Sequence, residues 1–285
     1  MNMPQTRMLL SAVVGAVLLA GPSAGFAESQ PTDKISPSDL VKSVIYNELH
    51  PASTADVHWK YQLTKEVNGK QEMRAVVETK SGSLDRLLSV AGKPLTGAQE
   101  SDEEGRILKF SHSPDEQRKA EQSRRKDAEQ CNTILKMIPD AFIFEYAGES
   151  GHAAKLTFKA NPGFVPPSRE GKVLQQMAGE MWVDARQKRL ISINGRLVNE
   201  VKFGGGFLGH LEKGGEFSVK RAEIAPGDWE MTELTVNMQG KALLFKSICV
   251  QQKELHSNFE QIPEDLSLAD AADLLLRQTV VAFKQ

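Results

Sequence analysis

From Met177 to Lys253, short runs of alternating apolar and polar residues are separated by glycine-rich turns, the pattern of antiparallel strands with one face on a core. Met181 and Val183 are placed to face Ile193 and Ile191 across a turn at Ala185 to Arg189. Phe217 to Ile224, Trp229 to Met238 and Lys241 to Glu254 continue the sheet, and Ala225-Pro226-Gly227-Asp228 suits a type II turn. The same period of two appears earlier, where Val57, Trp59, Tyr61 and Leu63 alternate with His58, Lys60, Gln62 and Thr64, and Met73, Ala75, Val77 and Thr79 supply a partner strand. Asn68-Gly69 fits a two-residue hairpin turn, but that register sets Trp59 opposite Glu78 and Leu63 opposite Arg74. A three-residue loop, Val67-Asn68-Gly69, instead pairs Leu63 with Met73, Tyr61 with Ala75 and Trp59 with Val77, and is the expected arrangement. A second hairpin follows the same logic: Phe142, Phe144 and Tyr146 match Phe158, Leu156 and Ala154 around Glu149-Ser150-Gly151, with all rings on one face. The expectation is seven to eleven antiparallel strands, with no room for parallel crossovers.

Three helices frame these strands. Ser36 or Ser38 caps the first, whose Leu40, Val41, Val44, Ile45 and Leu49 recur at helical spacing, and it ends at His50, before Pro51. A second, polar helix begins at Ser113-Pro114-Asp115-Glu116 and runs to about Met137, an insertion over roughly 113–138. Asp115/Lys119 and Glu121/Arg125 stand four residues apart on it, and only Cys131, Ile134, Leu135 and Ile138 can dock it. The third spans Ser267 to Val281, with Leu268, Ala271, Ala272, Leu275 and Leu276 forming a face that covers the sheet. The fold class expected is α+β: one large curved antiparallel sheet, an unclosed barrel, with a helix at each end of the domain.

The first 27 residues change the count. Arg7, the apolar run Met8 to Ala20 and the small residues around Gly25-Phe26-Ala27 read as a secretory signal peptide cut after Ala27. The run is shorter than a membrane span needs, and Gly21-Pro22 breaks it. The remaining chain, 28–285, is then one exported domain, periplasmic and soluble after cleavage. Removing Arg7 from a formal charge of −2 leaves −3, a balance that excludes the basic excess of a nucleic-acid-binding protein. Cys131 and Cys249 are too few for a disulfide scaffold, and one bridge between them or two buried thiols are equally open readings.

Motifs of catalysis are absent. Gly204-Gly205-Gly206-Phe207-Leu208-Gly209 satisfies G-x-G-x-x-G, but no helix starts at its glycines, since Gly214-Gly215 and then strands follow. It reads instead as a mobile connection whose Phe203, Phe207, Leu208 and Leu211 close over an apolar ligand or touch a membrane. His50, His58, His112, His152, His210 and His256 show no metal-ligand spacing. Glu149-Ser150-Gly151-His152 lacks the strand-to-helix elbow of a hydrolase, and Glu103, Glu104 and Asp184 have no shared cleft in the sequence. No enzyme activity and no cofactor is expected. Trp182 and Trp229 on strands serve either as core filler or as a ligand platform.

The run Gly179-Glu180-Met181-Trp182-Val183-Asp184, followed by Arg189-Leu190 and Ile193, resembles the strand-turn-strand of the outer-membrane lipoprotein carrier family (LolA-like), as does a helix at Leu40 to Leu49 before a strand at Val57 to Leu63. Chain-wide, Pro139-Asp140-Ala141-Phe142, Phe203 to Gly215 and Gly240 to Lys246 also resemble a family of uncharacterised exported bacterial proteins. The first resemblance implies an unclosed barrel covered by helices and a hydrophobic ligand. On that reading a lipid or lipoprotein acyl chain lies in the concave sheet against Trp59, Tyr61, Trp182, Phe203, Phe207, Leu208, Phe217 and Trp229. The alternative is an envelope interaction or sensor protein, its scaffold filled and its polar helix presented to an envelope protein partner.

Overall fold

The computed structural model describes residues 35–50, 57–242 and 246–277, within the compact unit Ile35–Gln285. Among them are five α-helices and thirteen strands in one antiparallel sheet. The chain runs α1 (Pro37–Leu49), β1 (His58–Val67), β2 (Lys70–Thr79), β3 (Gly82–Val90), β4 (Lys93–Pro94), α2 (Gly97–Ser111), α3 (Pro114–Ala141), β5 (Phe142–Ser150), β6 (Ala153–Ala160) and α4 (Arg169–Leu174). It continues with β7 (Met177–Asp184), β8 (Arg189–Leu197), β9 (Val201–Phe203), β10 (Gly209–Leu211), β11 (Glu216–Ala225), β12 (Asp228–Ala242), β13 (Lys246–Ile262) and α5 (Leu268–Arg277). The sheet order is β4-β3-β2-β1-β13-β12-β11-β8-β7-β6-β5, with β9 and β10 forming a side hairpin on β12. The end strands β4 and β5 do not pair, so the sheet stays unclosed.

Two apolar cores lie on opposite faces of this sheet. One row of cross-strand partners runs Leu156, Met181, Ile193, Val219, Leu234, Glu254 and Lys65. It reaches β1 at an odd-numbered residue. Ala75 and Val77 instead pair with the even-numbered Gln62 and Lys60, and successive side chains of a strand point to opposite faces. The first core, built on β5 to β8, takes Leu40, Val41, Val44 and Ile45 of α1 and Met137, Ile138 and Ala141 of α3. The second, built on β2 and β3, takes Leu268, Ala271, Ala272 and Leu275 of α5 and Ile107 of α2.

Each terminal helix is seated by a strand arginine at its C-terminal end, where unpaired carbonyls concentrate negative potential. Arg189 Nη1 donates to the Asn47 carbonyl of α1 at 2.8 Å, and Arg86 Nη1 donates to the Leu275 carbonyl of α5 at 2.8 Å. Glu48, with a side chain only 6% exposed, bridges Arg189 at 3.7 Å and Arg221 of β11. It also accepts the Leu190 N–H at 3.3 Å.

The three expected helices are present as α1, α3 and α5, whereas α2 and α4 were not expected. Ser36 caps α1 through the Asp39 N–H, and His50 ends it; α5 buries Leu268, Ala271, Ala272 and Leu275 and half-buries Leu276, and the expected stretch from 278 to 281 lies outside the described residues. The polar helix α3 extends to Ala141 and feeds directly into β5. Its carboxylates choose arginines three residues away, Asp115 with Arg118 and Glu121 with Arg124, rather than the expected partners at four. Arg124 gains a second use there, donating to the Ser81 carbonyl of the β2–β3 turn at 3.4 Å. Cys131 does not dock the helix: it is exposed, as is Cys249, and both thiols are unpaired. The reason is placement, because α3 meets the core only through its last two turns, downstream of Cys131.

Both hairpin registers differ from expectation. Val67 pairs directly with Lys70 across Asn68-Gly69, so Leu63 faces Arg74 and Thr64 faces Met73. Asn68 and Gly69 both have left-handed φ, 50° and 77°, the geometry of the two-residue turn. In the second hairpin Phe144 pairs with Phe158 and Tyr146 with Leu156, because a bulge at Ala147 admits a two-residue turn at Gly151-His152. The rings still share a face, with Phe142 and Phe158 centroids 4.7 Å apart. Across the next turn Met181 faces Ile193 as expected, but a bulge sets Val183 against Leu190. The strand count exceeds the expected range because β3, β4, β9 and β10 are separate elements, and the last strand, expected over Lys241 to Glu254, runs Lys246–Ile262 instead.

Replacing Glu48 with alanine removes the buried carboxylate that bridges Arg189 and Arg221 and leaves them only the more distant charge of Glu230. The expected loss is about 3–5 kcal/mol, read as a lower denaturant midpoint in urea unfolding. An unchanged midpoint would show that the ion-pair triad does not hold α1 to the sheet.

Candidate functional site

Between the two cores, the face that carries the first core continues across β11, β12, β13 and β1. Phe217, Val219, Leu234, Val236, Met238 and Leu63 lie there, all half-buried. The helices pack mainly on β2 and β3 at one end and on β5 and β8 at the other. This strip therefore has less cover than either core.

At its β1 end the apolar surface turns into an aromatic and acidic cluster. Trp59 and Tyr61 alternate onto this face, and a bulge in β13 at Asn258, φ 58°, brings both His256 and Phe259 against Tyr61. Tyr61 and His256 stack with centroids 5.2 Å apart and planes 10° apart. Phe259 lies 5.2 Å from Tyr61 and meets Trp59 edge-on at 6.3 Å. The two-residue turn before β2 is what sets Glu78 opposite Trp59, where it accepts the Trp59 N–H at 3.3 Å.

Three carboxylates surround this stack in different electrostatic states. Burial, with the negative charge of Glu230 nearby, pushes Glu78 up to about 7. Burial likewise raises Glu230, against the attraction of Arg221. Glu254 goes the other way, to about 2, held by His256 Nε2 at 3.5 Å, Lys65 at 2.7 Å and the Gln252 amide at 2.9 Å. Burial and these acids together raise the Tyr61 phenol, which stays protonated. The arrangement can store a proton near neutrality on Glu78 and favours positive charge beside the rings. Among the described residues no three His, Cys, Asp or Glu side chains gather into a metal site.

On the opposite face, a groove of about 640 Å³ crosses β7, β8, β11 and β12. Gly179 and Gly195 pair across its floor, and the Phe158 and Phe217 rings close on them from neighbouring strands. A side chain at either glycine would collide, at Gly179 with the Asn194 backbone and at Gly195 with the Phe217 ring. The walls are polar, with Glu180, Arg196, Glu216 and Thr235 prominent, and Ser218 donates to Asn194 at 2.6 Å.

The eight residues expected to line a ligand do not converge. Trp59 and Tyr61 join the acidic cluster, while Phe217 packs on the first core and shows one ring edge to the groove. Trp182 points to the other face, with Lys155 Nζ 5.8 Å above its ring. Trp229 is buried, its indole N–H donating to Gln187 at 2.9 Å, and Phe203 is half-buried beside the first core. Phe207 and Leu208 stand at the tip of the β9–β10 hairpin. That segment is not a loose loop but a hydrogen-bonded turn, with Phe207 N–H to the Gly204 carbonyl and Leu208 N–H to the Phe203 carbonyl, both 3.1 Å. Gly209 opens a strand, not a helix, so the glycine motif has no phosphate-binding helix start.

Glu230, Glu254 and Phe259 are site residues that sequence reasoning passed over, while Glu78 entered it only as a mismatched register partner and His256 only as a histidine without metal-ligand spacing. The bulge at Asn258 spaces Leu255, Phe259 and Ile262 by four and three residues, which hides strand alternation behind a helix-like period. Among the described residues no helix is long and apolar enough to cross a membrane.

Replacing Glu78 with glutamine tests the electrostatics, since the amide still accepts the Trp59 N–H. A carboxyl raised in the folded state opposes folding increasingly as pH climbs from about 4.5 to about 7. The variant should therefore match the parent below pH 4.5 and exceed it by about 2 kcal/mol at pH 8, read from melting curves at both pH values. Equal stability at pH 8 would show that Glu78 is well solvated.

No protein family's sequence profile matches the chain, and no curated protein matches it. Among solved structures, the chain is similar to the crystal structure of a DUF1329 family protein from Desulfovibrio piger ATCC 29098, at 10% identity over 79% of this chain and 93% of that one, with a TM-score of 0.26.

Proposed function

We propose that this is an exported, non-enzymatic binding protein whose LolA-like unclosed sheet carries a lipid or lipoprotein acyl chain. One observation carries the reading: the half-buried apolar strip of Phe217, Val219, Leu234, Val236, Met238 and Leu63 continues the first core onto strands where helix cover thins. Each buried methylene of an acyl chain is worth about 0.8 kcal/mol there. The ring stack of Tyr61, His256 and Phe259 ends the strip, so the polar end of the ligand sits beside Glu78 and Glu230. The signal-peptide pattern of residues 1–27, which lie outside the described residues, supplies the export half of the reading.

Protein purified from its own envelope should release lipid on organic extraction, and native mass spectrometry should show the matching mass above the bare chain. Val236→Asp places a charge in the middle of the strip. It should weaken binding of a fluorescent acyl probe at least about tenfold, with far-ultraviolet circular dichroism unchanged. Ligand-free protein that also ignores the probe would overturn the proposal.

A further inference from the structure

The most exposed large apolar side chain among the described residues is Phe207, 90% exposed, with Leu208 beside it at 49%. They occupy the tip of a hairpin rather than a broad patch. Phe203 pairs with Gly209 at the last rung, and Gly204, Gly205 and Gly206 all take positive φ, 56°, 65° and 96°. Such a run needs glycine. Leu208 folds back over Gly204, where a β-carbon would meet its Cγ at 2.8 Å. The turn thus holds Phe207 outward on a hydrogen-bonded frame.

One rung behind the tip, Lys202 pairs with His210 and His210 with Lys241 across β9, β10 and β12. Directly paired residues share a face, so the three basic side chains form a row. Glu200 lies at 3.4 Å from Lys202 and 3.7 Å from His210. The row therefore keeps an excess of positive charge, with Lys241 exposed.

We infer that the β9–β10 hairpin is a membrane-contact element, Phe207 and Leu208 entering the acyl boundary of an anionic bilayer while Lys202 and Lys241 meet its headgroups. Two side chains on a narrow turn are far short of the roughly 800 Å² per partner that a stable protein interface buries. They suit a lipid surface, which needs only an apolar wedge with cationic neighbours. The inference stands apart from the acyl strip on β11 to β1: contact with a bilayer uses the hairpin whether or not a lipid is carried.

The test is co-sedimentation of the mature chain with vesicles of phosphatidylethanolamine and phosphatidylglycerol, against vesicles of phosphatidylcholine alone. The chain should bind the anionic vesicles better, and 0.5 M salt should erase most of the difference. Phe207→Ser should lower the partition coefficient about tenfold. The double variant Lys202→Glu and Lys241→Glu should lower it on anionic vesicles by at least about fivefold per lysine, with little change on phosphatidylcholine. Phe207 is solvent-exposed, so Phe207→Ser should leave the melting temperature and the acyl-probe affinity unchanged. Equal vesicle binding by Phe207→Ser and the parent would overturn the inference. So would a parent chain that ignores vesicles, including one that instead dimerises through Phe207 by size-exclusion light scattering. Loss of vesicle binding with acyl-probe binding intact supports the hairpin alone, whereas loss of probe binding with vesicle binding intact sinks only the carrier reading.

Discussion

A single sheet with a core on each face depends on side-chain parity being kept through ten consecutive ladders and their bulges. Because neighbouring residues of a strand point to opposite sides, a shift of one residue anywhere would present the wrong set to a helix layer. Odd-numbered residues of β1 share a face with Met181 and Ile193 beneath α1 and α3, and even-numbered ones share a face with Ala75 and Val77 beneath α5. Strand β2 carries the consequence most plainly: Ala75, Val76 and Val77 are all buried in succession. Neither helix layer could move to the other side without that parity failing.

The strands between the two cores belong fully to neither. There the face turned toward the first core changes from Leu234 and Val236 to Glu254, Glu78 and Glu230 within a few rungs. Placing carboxylates against Trp59 and Tyr61 costs solvation, and the molecule answers in two ways. Glu254 is ionised and paired with Lys65, whereas Glu78 takes up a proton near neutrality. Well-packed cores at the ends thus bracket a centre that is polarisable, responsive to pH and thinly covered by helix.

Much of the fold was legible from local chemistry. The Ser36 and Ser113 caps, the apolar faces of α1 and α5, and the Pro226-Gly227 turn all act within a few residues, and the structure repeats them. The Thr96 and Gln99 capping box of α2 is local too, but Ile107 is its single buried apolar residue, so its periodicity is faint. The Asn68-Gly69 turn was also written in the sequence. Pairing like with like argued against it, because that rule assumes one buried face and β2 has two. The candidate site was the least legible part: its acids lie on β2, β12 and β13, more than a hundred and fifty residues apart between Glu78 and Glu230, and the Asn258 bulge disguises the strand that carries His256.

By itself, then, the sequence determined the kinds of elements and most of their ends, since periodicity, caps and turns depend on neighbours along the chain. It also determined the antiparallel class, because hairpin turns leave no room for crossovers. Only the tertiary structure decided the strand order that inserts β13 beside β1, the division of the cores between two faces, and the meeting of Tyr61 with Glu78, Glu230 and His256. These are consequences of long-range pairing, in which a bulge of one residue reassigns faces and burial reassigns charge, and neither is visible until the strands lie side by side.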